Sequence, residues 1–310
     1  MKLLSADSFD RARTFVVEQG REMDRRLLSF HFEDGPPAAV LEELANYQNE
    51  DGGFGRGLEP DVQMPGSSVL TTTMALRILR EVKATSSDEI VRKALEYLMT
   101  QYDSSRRVWP IVPQEVDEFP HAPWWNFENT AETFGHFLAN PRAEVVGYLH
   151  QYQELAPAGL TRELTEAVVE HIAGLPDEMN MYDFICCVHL VETPDLPQPW
   201  RDTLAELLTR RARYVVAGSP EELKQPSARP LWLAPTPTSV LAETLKSEVE
   251  MNLDFDIEHQ NPDGSWSPAW SWYGQYPEAW ERAEQQWKSC LTVEVLKALR
   301  EFGRIEGLEG

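Results

Sequence analysis

Cysteine and basic residues are scarce in this chain of 310 residues. Its three cysteines are Cys186, Cys187 and Cys290, with no Cys-x-x-Cys pair, so a disulfide framework is excluded and a reducing compartment is expected. Asp and Glu number 51 against 28 Lys and Arg, which gives a formal net charge of −23. Binding to nucleic acid depends on Lys and Arg displacing counterions, so we expect no nucleic-acid partner, and the same repulsion disfavours an anionic membrane surface.

Long apolar runs and strand patterns are lacking as well. No stretch approaches the roughly 18–20 apolar residues of a membrane span, and polar residues arrive before the apolar core of a signal peptide could form. We therefore expect a cytoplasmic protein with no membrane span. No alternating Val/Ile/Thr run lies between hairpin turns, so a sheet protein is not expected.

Two common catalytic signatures are absent. No Gly-x-Ser-x-Gly motif occurs, which argues against a serine hydrolase. The glycine-rich segment 52–57 follows a helical pattern and lacks the Lys-Ser/Thr ending of a phosphate-binding loop, so its glycines are better explained by tight turns.

Apolar residues recur with the period of a helix along most of the chain. The pattern predicts an all-α protein with helices near 7–31, 38–48, 67–82, 87–102, 128–140, 142–153, 160–173, 178–191, 198–216, 237–260 and 286–302. Long loops at 49–66, 103–126, 218–236 and 261–285 are rich in Pro and Gly and carry most of the tryptophans. Loops of this length are usually functional or disordered, and their aromatic content favours ordered loops that wall a site.

An internal repeat indicates the architecture. Segments 47–55 and 259–267 share the pattern Gln-Asn-x-Asp-Gly-[Gly/Ser]-aromatic, and both follow a predicted helix. A degenerate third copy ends at Gln101 and is followed by Trp109. Gln48, Gln101 and Gln260 are separated by 53 and by 159 residues, the second interval being three times the first. A helix-pair repeat of this size predicts a solenoid or toroid.

The motif Gln-x3-Gly-x-aromatic resembles the QW repeat of squalene and hopene cyclases. The segment 51–57, followed by Ser68 and the run 71–76, is similar to the repeat of protein prenyltransferase β subunits. This resemblance implies a single α/α toroid domain over residues 1–310, an (α/α)5–6 barrel in which inner helices line a central cavity and outer helices surround it. Such repeats use the glutamine to close a helix end and the aromatic ring to pack between helices.

The rim of such a cavity would carry the candidate site residues. The candidate catalytic acids are Glu59, Asp61, Glu128 and Asp183, and the candidate substrate-binding residues are Arg56, His121, Trp124, Trp125, Tyr182, Trp232, Trp270, Trp272 and Tyr273. We expect segments 57–61, 121–125 and 230–235 to meet at one mouth, because each precedes an inner helix and is stiffened by proline. Acids at helix N-termini favour the ionised form, whereas Glu128, beside Trp124, Trp125 and Phe127, is the expected proton donor.

The chain matches the signature motifs of the two families that it resembles only in part. Class II cyclases use Asp-x-Asp-Asp, and the nearest match, residues 254–257, lacks the fourth position and ends a predicted outer helix. Prenyltransferases hold zinc with Asp, Cys and His, for which the candidates are Asp183, Cys186, Cys187 and His189. These cysteines lie in an apolar helical stripe, where free cysteine is commonly a small core residue, so we expect no essential metal and no cofactor.

The resemblance predicts an enzyme of the terpenoid cyclase and prenyltransferase type. It would act on a hydrophobic small-molecule substrate, for example an isoprenoid, in a cavity lined by aromatic residues and acids. Aromatic faces stabilise carbocations, but they also stack on sugar rings. A glycan hydrolase or lyase on a similar barrel therefore stays open, as does a toroid that binds without catalysis. The sequence leaves the oligomeric state open.

Overall fold

The structure is a computed structural model that describes residues 1–308. It is all-α, as the periodicity predicts, and the only β-type pairings among the described residues are isolated bridges. This part of the chain forms two compact units, described separately below. Unit 1 comprises residues 1–43 and 216–308, and unit 2 comprises residues 44–215.

Unit 1 joins the two ends of the described chain. Leu4 pairs with Ile305 in a parallel bridge, and its backbone N–H donates to Arg304 O at 2.8 Å. The helices of this unit are α1 (Ala6–Gln19), α2 (Glu22–Phe32), α3 (Pro37–Ala45, which crosses the unit boundary), and, in the second segment, α11 (Pro220–Leu223), α12 (Pro230–Leu233), α13 (Lys246–Glu258) and α14 (Pro277–Glu301).

The helices of unit 2 are α4 (Val69–Glu81), α5 (Glu89–Thr100), α6 (Phe127–Thr133), α7 (Arg142–Gln151), α8 (Ala158–Gly174), α9 (Met181–Val191) and α10 (Gln198–Val215). The centre of unit 2 is formed by the buried helices α7 and α9, which are in contact. Residues 142–150 of α7 are all buried, because α7 packs against α4, α8 and α9. Any charged side chain that α7 carries must therefore find its partners inside the unit.

Several predicted helix bounds differ from the observed ones. The segment 7–31 is two helices, because the backbone is extended at Gly20 and Arg21. Glycine is needed there, since a Cβ at Gly20 would lie 2.4 Å from Ser289 Oγ of α14. The predicted helix 128–140 ends at Thr133 and gives way to a left-handed turn at residues 135–137. α13 begins nine residues later than the predicted residue 237, and α14 begins nine residues earlier than the predicted residue 286, with Pro277 at its first position.

The loop of the first repeat copy is closed by Gln48. Its Nε2 donates to Gly52 O at 2.9 Å and to Ile90 O, at the start of α5, at 3.0 Å. The carboxylate of Asp51 accepts from the backbone N–H of Gly53 at 3.0 Å. Gly52 has φ of 89°, and a Cβ there would lie 2.4 Å from a backbone oxygen of α5, so the copy requires glycine at this position.

The second copy repeats these contacts in unit 1. Gln260 Nε2 donates to Gly264 O at 3.0 Å and to Ser8 O, in the first turn of α1, at 2.9 Å. Asp263 accepts from the N–H of Ser265 at 3.0 Å, and Gly264 has φ of 93°. The two loops therefore have the same local structure, and α1 contacts the second loop as α5 contacts the first.

The aromatic residue of each copy is buried and anchored by hydrogen bonds. The N–H groups of Phe54 and Trp266 donate to the threonine hydroxyls of Thr72 and Thr292, at 3.0 and 3.2 Å. The indole of Trp266 also donates to Asp256 O at 2.7 Å, and that of Trp109, in the third copy, to Leu98 O at 2.6 Å.

The third copy keeps only part of the pattern. Its Trp109 has the same type of anchor as Trp266, but Gln101 donates to Thr100 Oγ1 in its own helix and does not close a loop. The two complete copies therefore agree with the helix-pair repeat, whereas the single toroid domain stays a prediction.

Candidate functional site

Two of the three segments expected at one mouth lie side by side in unit 2. Ala122 N donates to Asp61 O at 2.9 Å, and Gln63 N donates to Pro120 O at 3.0 Å, so Val62 and His121 form an antiparallel bridge. The third segment, residues 230–235, contains α12 of unit 1.

The acids of the first segment are buried. Glu59 and Asp61 expose 8% and 3% of their surfaces, and the N–H of Asp61 donates to Glu59 Oε1 at 3.2 Å. Arg56 differs from them, because it is exposed. Its guanidinium donates to Asn49 Oδ1 at 3.1 Å and to Asn46 O at 2.9 Å, so it is tied to the repeat loop.

His121 is held rigidly at both ring nitrogens. Its Nδ1 lies 2.7 Å from Phe119 O, and its Nε2 lies 2.7 Å from Asn126 Oδ1. The carboxylate of Asp117 lies 3.8 Å from Nε2 and accepts from the N–H of Phe127 at 3.0 Å. Such a network fixes the start of α6 and orients the imidazole, but it leaves His121 little freedom to move toward a ligand.

Trp125, Phe134 and Tyr182 form a row of aromatic side chains in contact. Trp124 is half-buried, whereas Trp125 is buried and stacks on Phe134 with a centroid distance of 5.0 Å and an interplanar angle of 23°. Phe134 in turn meets Tyr182 edge to face at 5.7 Å. The indole N–H of Trp125 is buried and has no hydrogen-bond partner among the described residues.

Asp183 lies next to this row, in the first turn of α9. It exposes 7% of its surface, and its Oδ1 accepts from Asn140 N at 3.2 Å. Burial raises the pKa of Asp183 to about 6, against the opposing effect of that hydrogen bond. The left-handed turn at residues 135–137 brings the backbone of Gly135 close to the other carboxylate oxygen, since a Cβ there would lie 3.4 Å away.

The burial of two of the candidate acids differs from what the sequence predicts. Glu128 is exposed in the first turn of α6, so it lacks the apolar burial that a proton donor requires. Asp183 has that burial, although its place at a helix N-terminus suggested an ionised base. The effect of burial on the pKa of Asp183 is larger than that of the opposing hydrogen bond from Asn140.

A buried charge cluster centred on Glu144 was not predicted. Glu144 accepts from Arg77 Nε and Nη2 at 2.6 and 2.9 Å and from Tyr148 Oη at 2.7 Å. His189 Nδ1 lies 3.2 Å from Glu144 Oε1, although its N–H is too poorly aligned for a hydrogen bond. Cys186 Sγ is 3.9 Å from Oε2. The cluster links α4, α7 and α9.

Electrostatics inside the cluster favour an ionised Glu144 and a neutral His189. Burial opposes the charge on Glu144, but the opposing interactions, led by the charge of Arg77, hold its pKa well below the ordinary value. Burial lowers the pKa of His189, and Glu144 offsets this only in part. Burial and Glu144 together raise the pKa of Cys186 well above its ordinary value, so its thiol is protonated and a poor nucleophile.

The predicted aromatic residues of unit 1 form their own contacts. Trp272 is fully buried and meets Trp280 and Tyr276 at centroid distances of 5.8 and 6.5 Å. Trp270 meets Trp287 edge to face at 5.1 Å. Trp232 is half-buried in α12, and Tyr273 is exposed.

The acids of the Asp-x-Asp-Asp-like segment pair with arginines. Asp254 and Asp256 pair with Arg304 and Arg229, respectively. Among residues 1–308, no group of three or more His, Cys, Asp or Glu side chains is arranged to hold a metal ion, and all three cysteines are buried.

Comparisons with known proteins give no relative. No family model, no curated protein and no solved structure matches the chain. No helix among residues 1–308 is both long and apolar enough to cross a membrane.

Proposed function

We propose that this protein is an α/α-toroid enzyme of the terpenoid cyclase and prenyltransferase type, which acts on a hydrophobic substrate such as an isoprenoid. The observation that carries the proposal is the position of Asp183. Its carboxyl group is buried at the N-terminus of α9, beside the row formed by Trp125, Phe134 and Tyr182.

The repeat supports the toroid. Gln48 and Gln260 make the same pair of hydrogen bonds in separate units, so the helix-pair module occurs twice with the same local structure. In unit 1 the N-terminal helix α1 receives the contact from the loop that follows α13, one of the last helices of the chain. A closed ring requires this return of the last repeat onto the first.

Asp183 fits the role of proton donor to a carbon–carbon double bond. Its carboxyl group retains a proton to about pH 6, because burial disfavours the carboxylate. After proton transfer, the carboxylate would still accept from the N–H of Asn140. Aromatic faces attract a cation by their quadrupoles, so Trp125, Phe134 and Tyr182 would stabilise positive charge formed on the substrate.

Binding and turnover with a defined set of compounds test the proposal. Prenyl diphosphates, squalene and oligosaccharides are compared by the shift in Tm, since a ligand that binds only the native state raises Tm. Compounds that bind are then incubated with the enzyme and the products are identified by mass spectrometry. We expect an isoprenoid to bind and to be converted, and Asp183→Asn to abolish conversion while the protein stays folded.

Asp195→Asn is the matched control, because Asp195 is exposed just beyond the C-terminus of α9, whereas Asp183 is buried at its N-terminus. It should convert the isoprenoid like the unmodified protein. Binding of oligosaccharides alone would favour the glycan enzyme, and full activity of Asp183→Asn would show that the acid lies elsewhere.

A further inference from the structure

Arg142 is a buried arginine with no acidic partner among the described residues. It lies at the start of α7 and exposes 3% of its surface. Its Nε is buried with no hydrogen-bond partner, and its Nη2 makes one long hydrogen bond, to Ala167 O at 3.4 Å. Burial lowers the pKa of Arg142 to about 10, because the acidic groups that oppose this effect are the Cys187 thiol and the Tyr102 phenol rather than a carboxylate. Buried charges in proteins are normally paired, so this guanidinium is short of an anion.

His171 lies beside this guanidinium on α8. Ala167 and His171 are four residues apart, so they share one face of the helix. Helical side chains point back toward the N-terminus, so the imidazole extends over the turn whose carbonyl, Ala167 O, contacts Arg142. Burial and then the charge of Arg142 lower the pKa of His171, which agrees with this position. Arg142 and His171 therefore border the same surface.

Arg107 contacts the same face of α8 one turn earlier. Its Nη1 is 3.2 Å from Glu163 Oε1, and Glu163 precedes Ala167 by four residues. After burial, the charge of Arg107 contributes to the lowered pKa of Arg142, so the two guanidinium groups lie close enough to repel each other. The backbone of Arg107 is left-handed, with φ of 58°. This conformation is unfavourable for a residue with a Cβ, and such strain is typical of functional sites.

The phenol of Tyr102 faces both arginines. Burial and Glu163 raise the pKa of Tyr102, whereas the charges of Arg107 and Arg142 lower it. Tyr102 and His171 are half-buried, and neither the phenol oxygen nor a ring nitrogen of His171 has a hydrogen-bond partner among residues 1–308. Arg142 Nη1 has no such partner either, and unlike Nε it is not buried. Water can therefore reach three unpaired polar groups that come from three different elements.

These groups leave an excess of positive charge in an otherwise acidic protein. Glu163 offsets the charge of Arg107. The other acid near Tyr102 is Asp103, which accepts hydrogen bonds within its own turn. No acid offsets the charge of Arg142 among the described residues. The surface where these side chains meet therefore favours an anion.

We propose that Arg142, Arg107, Tyr102 and His171 form a binding site for a phosphate group, either free or in a small phosphate monoester. The four side chains come from α7, α8 and the loop between α5 and α6. A tetrahedral anion accepts hydrogen bonds from several directions at once, whereas a planar carboxylate suits a single guanidinium fork. Neither ring nitrogen of His171 is committed to another group, so the tautomer that directs an N–H toward the anion is available. The site does not depend on the proposed function.

Calorimetric titration with inorganic phosphate in a HEPES buffer tests the site. Glycerol phosphate serves as the small monoester, and acetate as the planar anion. The first variant is Arg142→Met, which removes the buried charge without leaving an acid unpaired, so the protein should stay folded. The second is Arg107→Asn. Its matched control is Lys83→Asn, because Lys83 is exposed in the same unit and also has a left-handed backbone, with φ of 59°, which tolerates asparagine.

We expect phosphate to bind the unmodified protein and Lys83→Asn with the same affinity. Arg142→Met should abolish binding, and Arg107→Asn should weaken it roughly tenfold, since each removes a charge-assisted hydrogen bond. Acetate should bind more weakly than phosphate, and the tighter of phosphate and glycerol phosphate identifies the source of the phosphate group. If Arg142→Met does not fold, Arg107→Asn combined with Tyr102→Phe takes its place, because neither of these positions is fully buried.

Three results would overturn the proposal. Absence of phosphate binding would show that Arg142 is buried without a ligand, and unchanged affinity in Arg142→Met and Arg107→Asn would place the bound anion elsewhere. Acetate binding as tight as phosphate binding would exclude selection of a tetrahedral anion. Asp183→Asn separates this proposal from the proposed function, because it should abolish conversion of an isoprenoid and leave phosphate binding unchanged.

Discussion

Gln260 makes in unit 1 the same two hydrogen bonds that Gln48 makes in unit 2. Each side chain binds the carbonyl of the glycine four residues later and a carbonyl in the first turn of a separate helix. The glycine has a left-handed backbone in both loops, and its missing Cβ lets the loop approach that helix. The conformation of the loop is thus coupled to the packing of the helix beside it.

Substitution of Gly264 by alanine tests this coupling, with Gly274 as the control. A Cβ at Gly264 would lie 2.4 Å from the backbone of Arg11, whereas Gly274, with φ of 85°, has open space around it. Gly274→Ala should cost only the left-handed strain, about 1 kcal/mol. Gly264→Ala adds a steric clash and should cost about 3 kcal/mol or more in urea denaturation. Equal costs would show that the loop does not need the close approach.

The repeat could be predicted because its determinants are contiguous. Gln48, Gly52 and Phe54 lie within seven residues, so the motif is visible in one stretch of sequence. The Glu144 cluster has no such signature, since Arg77 and Glu144 are 67 residues apart and each resembles an ordinary charge on an amphipathic helix. A weak signal was present, because Arg77 interrupts the apolar stretch Ala75–Leu79.

The unexpected burial of Asp183 and exposure of Glu128 have a similar origin. The aromatic neighbours of Glu128 in sequence suggested burial, but α6 begins at Phe127 and leaves Glu128 exposed. Asp183 is buried by residues more than 40 positions earlier, including Asn140 and the left-handed turn at Gly135. Burial by such distant segments depends on tertiary packing, which local sequence patterns do not specify.

Asp183 should make the stability of the protein depend on pH. Its pKa rises from the ordinary 3.8 to about 6 on folding, so the folded state holds the proton more tightly than the unfolded chain. The stability this confers is complete below about pH 4 and is lost as pH rises to about 6. The total is about 3 kcal/mol for a shift of roughly two units.

Asp183→Asn should remove this dependence while keeping an oxygen to accept from Asn140. Urea denaturation between pH 4 and 7 should therefore show the variant gaining stability over the unmodified protein as pH rises, by up to about 3 kcal/mol at neutral pH. A difference that does not change with pH would mean that Asp183 is ionised in the folded protein. Loss of activity together with a gain in stability would be typical of a catalytic acid.

A double-mutant cycle should show strong coupling between Arg77 and Glu144. Arg77→Met leaves the buried carboxylate without its main partner and should destabilise the protein by about 3 kcal/mol. Adding Glu144→Gln removes the unpaired charge, so the double variant should regain most of that loss. Additive effects of the two substitutions would indicate that water replaces the guanidinium at no cost.

Trp125 and Trp109 give a matched pair for the effect of a buried indole N–H. Both rings are buried, but the Nε1 of Trp109 donates to Leu98 O at 2.6 Å, whereas that of Trp125 has no partner among the described residues. Replacing either tryptophan by phenylalanine removes the same ring volume, so the cavity terms are similar. The comparison therefore isolates the N–H group.

Trp109→Phe should lose a hydrogen bond and leave a buried carbonyl of α5 unpaired, at a cost of about 2–3 kcal/mol including the lost volume. Trp125→Phe should cost about 1 kcal/mol, because it removes an unsatisfied buried donor and keeps the stacking on Phe134. Urea denaturation of both variants measures the difference. If Trp125→Phe proves as costly as Trp109→Phe, the indole N–H of Trp125 has a partner in solution, and the aromatic row beside Asp183 is more polar than the proposed hydrophobic substrate requires.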